Sequence, residues 1–174
     1  MEDKRNIVLI GFMGSGKTTV GLRLSYKLRK TVIDTDKLIE KKQGRAIKDI
    51  FATDGETYFR ELETQTLEEL VTKARNEIVS VGGGTPVREE NRKLLRKIGT
   101  VVYLRITADA VCERLKNDTT RPLLQGEDPK GKIEKLLGER ESFYASCADI
   151  IVDVSEKEMD EVLEIIMARL EETA

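Results

Sequence analysis

The segment GFMGSGKT (11–18) constrains the fold of this chain more than any other feature. It matches the phosphate-binding pattern G-x-x-x-x-G-K-[ST] in full, directly follows the apolar run NIVLI (6–10) and precedes a helical pattern. Backbone N–H groups of such a loop, together with the helix N-terminus, hold a phosphate chain. Lys17 is placed to reach the β- and γ-phosphates, and the Thr18 hydroxyl to ligate Mg²⁺. The sequence therefore predicts a nucleotide site at a strand-to-helix turn.

Short apolar segments rich in β-branched residues alternate with helical patterns along the chain. Five of them predict strands: 6–10, 31–34, 77–81, 100–106 and 149–154. Their nearly continuous apolar character is typical of strands buried on both faces. Strands that alternate with helices indicate a parallel sheet covered by helices. The last helix is expected to begin at Ser155-x-x-Glu158, a capping-box pattern.

Residue counts exclude several function classes. The chain has no histidine, so neither a Ser-His-Asp triad nor a His-ligated metal site is possible. Any general base must be Asp, Glu, Lys, Tyr or Cys. A formal net charge of −2 gives no support to nucleic-acid or membrane-surface binding.

The length and the cysteine content indicate the number of domains and the cellular compartment. Its 174 residues correspond to about one domain. Two cysteines without CxxC spacing argue against a disulfide framework or a zinc site and favour a reducing compartment. No segment approaches transmembrane length. We expect a cytoplasmic protein, and a monomer because no apolar patch or heptad seam is evident.

The Mg²⁺ partner of a phosphate loop is often an acid at the end of a neighbouring strand. The segment 77–81 leads instead into three glycines, and no N-K-x-D guanine motif occurs. Asp34 and Asp36 follow the second strand, at the sheet end where ligands bind. In an extended segment these two side chains would point the same way. The alternative is that Asp36 only caps the next helix.

Two further segments have both a structural and a functional interpretation. Three consecutive glycines at 82–84 lose much conformational entropy on folding, which suggests that something must approach the bare backbone. The polar segment 117–131 is either an exposed loop or a mobile lid, since loops this long inside a compact domain are often functional.

Six motifs taken together, in chain order, resemble those of shikimate kinases. They are GFMGSGKTTVG, DTDKLIE, IFATDGETYFRELE, VGGGTPV, RPLL and ERESFY. The resemblance covers about residues 6 to 155 and implies ATP-dependent phosphorylation of the 3-hydroxyl of shikimate, in the route to chorismate and aromatic amino acids. The implied fold is an α/β P-loop kinase of the nucleoside-monophosphate-kinase type, with a five-stranded parallel sheet in the order 2-3-1-4-5, flanking helices and a lid. It further implies a single domain over 1–174, a shikimate-binding region at about 34–63 and a lid at about 117–131.

The resemblance also assigns roles to individual residues. Those implied to bind ATP are Gly14, Ser15, Gly16, Lys17, Thr18, Thr19, Arg114 and Arg121, with Arg114 stacking on adenine. Those implied to bind shikimate are Asp36, Arg60, Gly82, Gly83, Gly84 and Arg140. Asp36, Lys17 and Arg121 are implied to be catalytic. Mg²⁺ is expected at Thr18 and, through water, at Asp34.

Several of these roles have structural alternatives. Glu63 is expected to hold Arg60 in place, but the two could form an ordinary surface ion pair of little energetic value. Ile47, Phe51 and Phe59 could line the substrate ring or be plain core. Pro122 and Leu123 are expected to contribute from the lid. The acidic segment VDVSEKEMD after the last strand departs from the family pattern, which affects the expected adenine contacts.

Two other functions remain open from the sequence. One is another small-molecule kinase of the same fold, acting on gluconate or a nucleoside monophosphate; the paired arginines argue for an acceptor that carries a carboxylate. The other is a nucleotide-binding regulatory module without catalysis. The presence of Asp36, Arg60, Arg121 and Arg140 favours the enzyme.

Overall fold

The fold is taken from a computed structural model, which describes residues 5–121 and 124–173. Pro122 and Leu123 of the predicted lid lie outside these ranges. None of the helices within the described ranges combines the length and the apolar character that a membrane span requires.

A five-stranded parallel sheet forms the centre of the molecule. Its strands are β1 (Asn6–Ile10), β2 (Thr31–Asp34), β3 (Glu77–Ser80), β4 (Gly99–Arg105) and β5 (Ile150–Asp153). They lie side by side in the order β2-β3-β1-β4-β5, and every neighbouring pair is parallel. This confirms both the predicted strands and the predicted order.

Helices connect the strands and cover the sheet. They are α1 (Lys17–Leu28), α2 (Thr35–Gln43), α3 (Ile47–Lys73), α4 (Glu89–Ile98), α5 (Ala108–Leu115), α6 (Pro129–Cys147) and α7 (Met159–Glu172). A short 3₁₀ turn, Thr85–Val87, follows the three glycines. Because each crossover carries a helix, the carboxyl ends of all five strands meet at one edge of the sheet.

Burial differs between central and edge strands. All five residues of β1 are buried, as the continuous apolar pattern predicts. β2 pairs on one side only, and none of its residues is fully buried, so the prediction of complete burial is wrong for this strand. An edge position lowers the burial that a strand of the same composition can reach.

The start of α7 differs from the prediction. The helix begins at Met159 with Glu158 as its N-cap residue and no side-chain cap. The Ser155 hydroxyl instead accepts a hydrogen bond from the Thr107 backbone N–H at 2.9 Å. The predicted capping box is therefore wrong, because Ser155 ties two loops together before the helix begins.

The segment 34–63 has a small hydrophobic core of its own. Ile39, Ile50 and Phe59 are buried together, and Ile47 and Leu62 pack against them. Gly55 bends α3 inside this segment, with φ +84° and ψ 173°. The predicted substrate-binding region is thus packed partly independently of the main core.

Candidate active site

A cleft of about 370 Å³ lies at the carboxyl ends of β1 and β3. Most of the predicted site residues line it: Gly14, Gly16, Lys17, Thr18, Thr19, Asp34, Asp36, Gly82, Gly83, Gly84, Arg121 and Arg140. Larger cavities at the opposite edge of the sheet contain none of these residues. The parallel topology brings together side chains that are far apart in the sequence.

The phosphate loop has the geometry that its sequence predicts. Gly14 and Gly16 adopt positive φ angles of +79° and +96°, which favour glycine. The Lys17 ammonium donates to the carbonyl oxygens of Gly11 at 2.6 Å and Phe12 at 3.2 Å. Burial lowers the pKa of Lys17 to about 8, although the carboxylate of Asp36 opposes this shift. The buried Ser15 hydroxyl has no hydrogen-bond partner among the described residues, which leaves it free to bond a phosphate oxygen.

The two aspartates face the cleft, but not by the predicted geometry. Asp34 ends β2 and caps α2, its carboxylate accepting from the Lys37 N–H at 3.2 Å. Asp36 lies in the first turn of α2, so the two residues do not share an extended segment. The interpretation of Asp36 as the cap is also wrong, since Asp34 fills that place. Burial, together with the nearby carboxylates of Glu63 and Asp34, raises the pKa of Asp36 to about 6.

The three glycines allow functional side chains to approach the backbone. A Cβ atom on Gly82 would lie 3.0 Å from an Asp36 carboxylate oxygen, and one on Gly84 would lie 2.5 Å from Arg60 Nη2. A Cβ atom on Gly83 would lie 3.5 Å from Arg140 Nη1, an ordinary contact. None of the three has a positive φ. Close approach therefore explains Gly82 and Gly84 better than turn geometry does, whereas Gly83 has room for a Cβ atom.

Arg60 is held by a buried partner. Its Nη1 donates to Glu63 Oε1 at 2.6 Å, and the Glu63 side chain is only 2% exposed. The interpretation as an ordinary surface pair is therefore wrong. The other Glu63 oxygen accepts a short hydrogen bond from the Thr85 hydroxyl. Arg60 contacts the glycine loop at Gly84 and so lies beside the cleft.

The remaining arginines occupy different depths. The Arg140 guanidinium lies 5.9 Å from the centre of the Phe12 ring, next to Gly83. Arg121 lines the cleft from the exposed segment before α6 and donates to Asp118 at 3.2 Å. Residues 129–131 of the predicted lid form the first turn of α6, and the role of the segment as a lid stays a prediction.

Arg114 lies at the rim of the phosphate loop rather than in the cleft. It donates to the carbonyl oxygens of Gly14 at 2.9 Å and Val154 at 2.7 Å. The guanidinium thus joins the phosphate loop to the segment after β5. Its stacking on adenine stays a prediction.

The apolar candidates divide between core and surface. Phe59 is buried in the small core of 34–63, and Ile47 packs against that core. Phe51 is about one-third exposed, with its ring centre 4.8 Å from that of Phe59. Of these three side chains, that of Phe51 is the most exposed.

The oxygen atoms in the cleft fit a magnesium ion only in combination with a phosphate ligand. Within residues 5–121 and 124–173, no group of three or more His, Cys, Asp or Glu side chains could hold a metal by itself. The Thr18 hydroxyl and the Asp34 carboxylate both line the cleft. Mg²⁺ prefers such oxygen ligands and usually completes its shell with water and substrate phosphates.

Two residues that the sequence analysis missed contact this site. Thr85, directly after the glycines, bonds Glu63, and the Tyr144 hydroxyl donates to the Gly83 carbonyl oxygen at 2.6 Å. Tyr144 follows Arg140 by four residues and so lies on the same face of α6. This four-residue spacing from Arg140 is the sequence feature that could have predicted Tyr144 as a site residue.

Comparison with known proteins agrees with this geometry. The family model described as shikimate kinase matches residues 13–171. A shikimate kinase of Sulfurihydrogenibium sp. is 44% identical over 166 residues, which cover 95% of this chain and 98% of that protein. The chain belongs to the shikimate kinase family. Another family member, from Bacillus anthracis, is 42% identical and is covered to 99%, with 97% of this chain aligned.

Solved structures show the same relationship. The shikimate kinase of Acinetobacter baumannii in complex with shikimate has a TM-score of 0.89 and 36% identity, covering 98% of this chain and 96% of that one. A gluconokinase from Sinorhizobium meliloti has a TM-score of 0.65 but only 19% identity, with 100% of this chain and 95% of that one covered. The second likeness shows a common fold and does not extend to the acceptor.

Proposed function

We propose that this chain transfers the γ-phosphoryl group of ATP to the 3-hydroxyl of shikimate, in the pathway to chorismate. Family membership supports the reaction. The observation that carries the choice of acceptor is that Arg60 and Arg140 flank successive glycines, beside Asp36 and the phosphate loop. Two guanidinium groups at one small site suit a ligand with a carboxylate, and a neighbouring carboxylate suits its hydroxyls.

The proposed roles follow from the positions in the cleft. The phosphate loop and Lys17 hold the phosphates of ATP, while Arg121 faces them from the segment before α6. Asp36 orients the acceptor hydroxyl and accepts its proton, which a carboxyl with a pKa of about 6 can do near neutral pH. Catalysis then consists mainly of positioning and charge neutralisation, as phosphoryl transfer requires.

We also propose that Mg²⁺ takes part, held by Thr18 and, through water, by Asp34. When bound, the ion neutralises phosphate charge. Two free cysteines fit a reducing compartment and therefore the proposed cytoplasmic location. The net charge of −2 supports the proposal that no nucleic acid or membrane surface is a partner.

The test of the function is a coupled assay of ADP release with shikimate, quinate and gluconate as separate acceptors. We expect turnover with shikimate that requires Mg²⁺, and formation of a phosphate ester at the 3-hydroxyl. Turnover with gluconate but not with shikimate would overturn the proposal in favour of the other kinase. ATP binding without phosphorylation of any acceptor would favour the regulatory module.

The role of Arg60 has its own test. Replacing Arg60 by Ala should raise the KM for shikimate roughly 10- to 100-fold, the range for losing hydrogen bonds to a charged group, with the KM for ATP nearly unchanged. Arg23, an exposed arginine paired with Asp160 on the surface, provides the control, and Arg23→Ala should change neither constant. An unchanged KM for shikimate in Arg60→Ala would contradict the assignment.

A further inference from the structure

The glycine loop lies between the two helices that carry the substrate arginines. Arg60 on α3 approaches Gly84, and Arg140 on α6 approaches Gly83. Successive Cα atoms are only about 3.8 Å apart, so the two guanidinium groups approach the same short stretch of backbone. Like charges repel each other, so the directions of the two guanidinium groups need to be fixed by the protein.

A buried chain of hydrogen bonds fixes the Arg60 side of the loop. The Thr85 hydroxyl donates to one oxygen of Glu63, while the other oxygen accepts from Arg60 at 2.6 Å. Thr85 is itself held by Asn91, whose amide donates to the Thr85 carbonyl oxygen at 2.9 Å. Thr85, Glu63 and Asn91 are all buried. The direction of the Arg60 guanidinium therefore depends on the position of the loop.

A single buried hydroxyl fixes the Arg140 side. Tyr144 Oη donates to the Gly83 carbonyl oxygen at 2.6 Å, and its ring packs against Tyr103 with 5.1 Å between ring centres. Burial raises the pKa of Tyr144 to about 12, although the Arg140 guanidinium beside the hydroxyl lowers it. Tyr144 is consequently a neutral donor at neutral pH. It joins the helix that carries Arg140 to the loop that Arg60 contacts.

We infer that Thr85 and Tyr144 are positioning residues, whose hydroxyls hold the glycine loop so that it sets the spacing of Arg60 and Arg140 for one carboxylate. The inference rests on the proposed function, in which these arginines bind the carboxylate of shikimate. Neither hydroxyl needs to touch the substrate. Each acts by restricting a guanidinium to the direction in which two parallel hydrogen bonds can form.

The test compares single-atom changes with matched controls. Thr85→Val and Tyr144→Phe each remove one hydroxyl at nearly constant volume. Each should raise the KM for shikimate roughly 3- to 10-fold, the value of one hydrogen bond, and leave the KM for ATP within about twofold. Thr85→Ser restores the hydroxyl and should restore the KM. Tyr26→Phe removes the same atom from a tyrosine that is 92% exposed, and should have no effect.

Calorimetry with shikimate and its methyl ester separates positioning from general loosening of the fold. The ester has no carboxylate for the paired arginines, so the variants should lose affinity for shikimate and keep the wild-type affinity for the ester. Equal losses for both ligands, or lower thermal stability with an unchanged KM for shikimate, would overturn the inference. If Thr85→Val does not fold, Tyr144→Phe decides the outcome by the same criteria.

The two proposals can fail separately. Wild-type chain that binds and phosphorylates shikimate, with both variants unchanged, would overturn the inference and leave the proposed function intact. Wild-type chain that does not bind shikimate would overturn the proposed function, and the inference with it.

Discussion

Asp36 and Lys17 have pKa values displaced toward neutrality from opposite directions. Burial raises the pKa of the Asp36 carboxyl from 3.8 to about 6 and lowers the pKa of the Lys17 ammonium from 10.5 to about 8. Each group also favours the charged form of the other, so burial outweighs their attraction. Between about pH 6 and pH 8 the Asp36 carboxyl is therefore expected to be ionised while the Lys17 ammonium is still charged.

The pH profile of kcat/KM should follow from these two groups. We expect activity to fall as the pH drops through about 6, where Asp36 becomes protonated, and as it rises through about 8, where Lys17 loses its charge. The measurement is kcat/KM for both substrates between pH 5 and 9. A flat profile would contradict the assignments.

The substitution Asp36→Asn tests both the catalytic role and the raised pKa of this carboxyl. Activity should fall on the order of 10²-fold or more with loss of the base. Because the folded-state pKa is raised, the ionised carboxyl opposes folding at pH 7, and the variant should have a higher melting temperature there. That advantage should shrink as the pH falls from about 6 to about 4. A lower melting temperature at pH 7 would count against the raised pKa.

The effect of an alanine substitution in the glycine triplet should depend on which glycine is replaced. An alanine at 84 would place Cβ 2.5 Å from Arg60 Nη2, whereas an alanine at 83 would make only ordinary contacts at 3.5 Å. Gly84→Ala should displace Arg60 and raise the KM for shikimate roughly 10-fold or more, on the scale of a lost charged hydrogen bond. Gly83→Ala, the neighbouring control, should have a smaller effect. Steady-state kinetics that ranked the two in the opposite order would refute this account.

At the scale of elements, sequence patterns located helices and strands better than they located their ends. The segment EENRKLLRKI predicted α4, and α4 spans Glu89–Ile98. The start of α7 was wrong because Ser155 bonds to Thr107, a residue 48 positions away. A local capping pattern cannot reveal a competing partner that only the tertiary fold brings near.

At the bend of α3, Gly55 has a backbone conformation that an alanine should not tolerate well. Its φ of +84° and ψ of 173° are available almost only to glycine, and a Cβ there would meet nothing within 4 Å. Gly55→Ala should therefore lower the free energy of unfolding by about 1–3 kcal/mol through backbone strain alone. Gly138→Ala, in the regular and open part of α6, should raise it by about 0.5–1 kcal/mol. Urea denaturation of both variants measures the difference, and equal effects would exclude strain at the bend.

At the scale of the whole molecule, the described surface shows few large exposed apolar side chains. Leu22 and Tyr26 on α1, Phe51 and Tyr58 on α3, and Val87 make up that set. They are spread over three elements, α1, α3 and the 3₁₀ turn, and scattered exposed apolar residues are normal for monomers.

The chain should therefore be a monomer in solution. Light scattering coupled to size-exclusion chromatography should give a mass close to 19.7 kDa at all concentrations tested. A concentration-dependent rise toward twice that mass would contradict the prediction. Tyr26→Ser would then show whether the α1 surface is the interface.

The sequence by itself determined the phosphate loop, the five strands and most of the predicted residues that line the cleft. These follow from short-range patterns: a glycine-rich turn, apolar periodicity and motifs in a fixed order. Only the tertiary structure decided that Asp34 caps α2 and that the pKa of Asp36 is raised. It also decided that Thr85 and Tyr144 belong to the site. Burial and hydrogen bonds between distant segments set those properties, and both arise only when β1, β3, α3 and α6 are packed together.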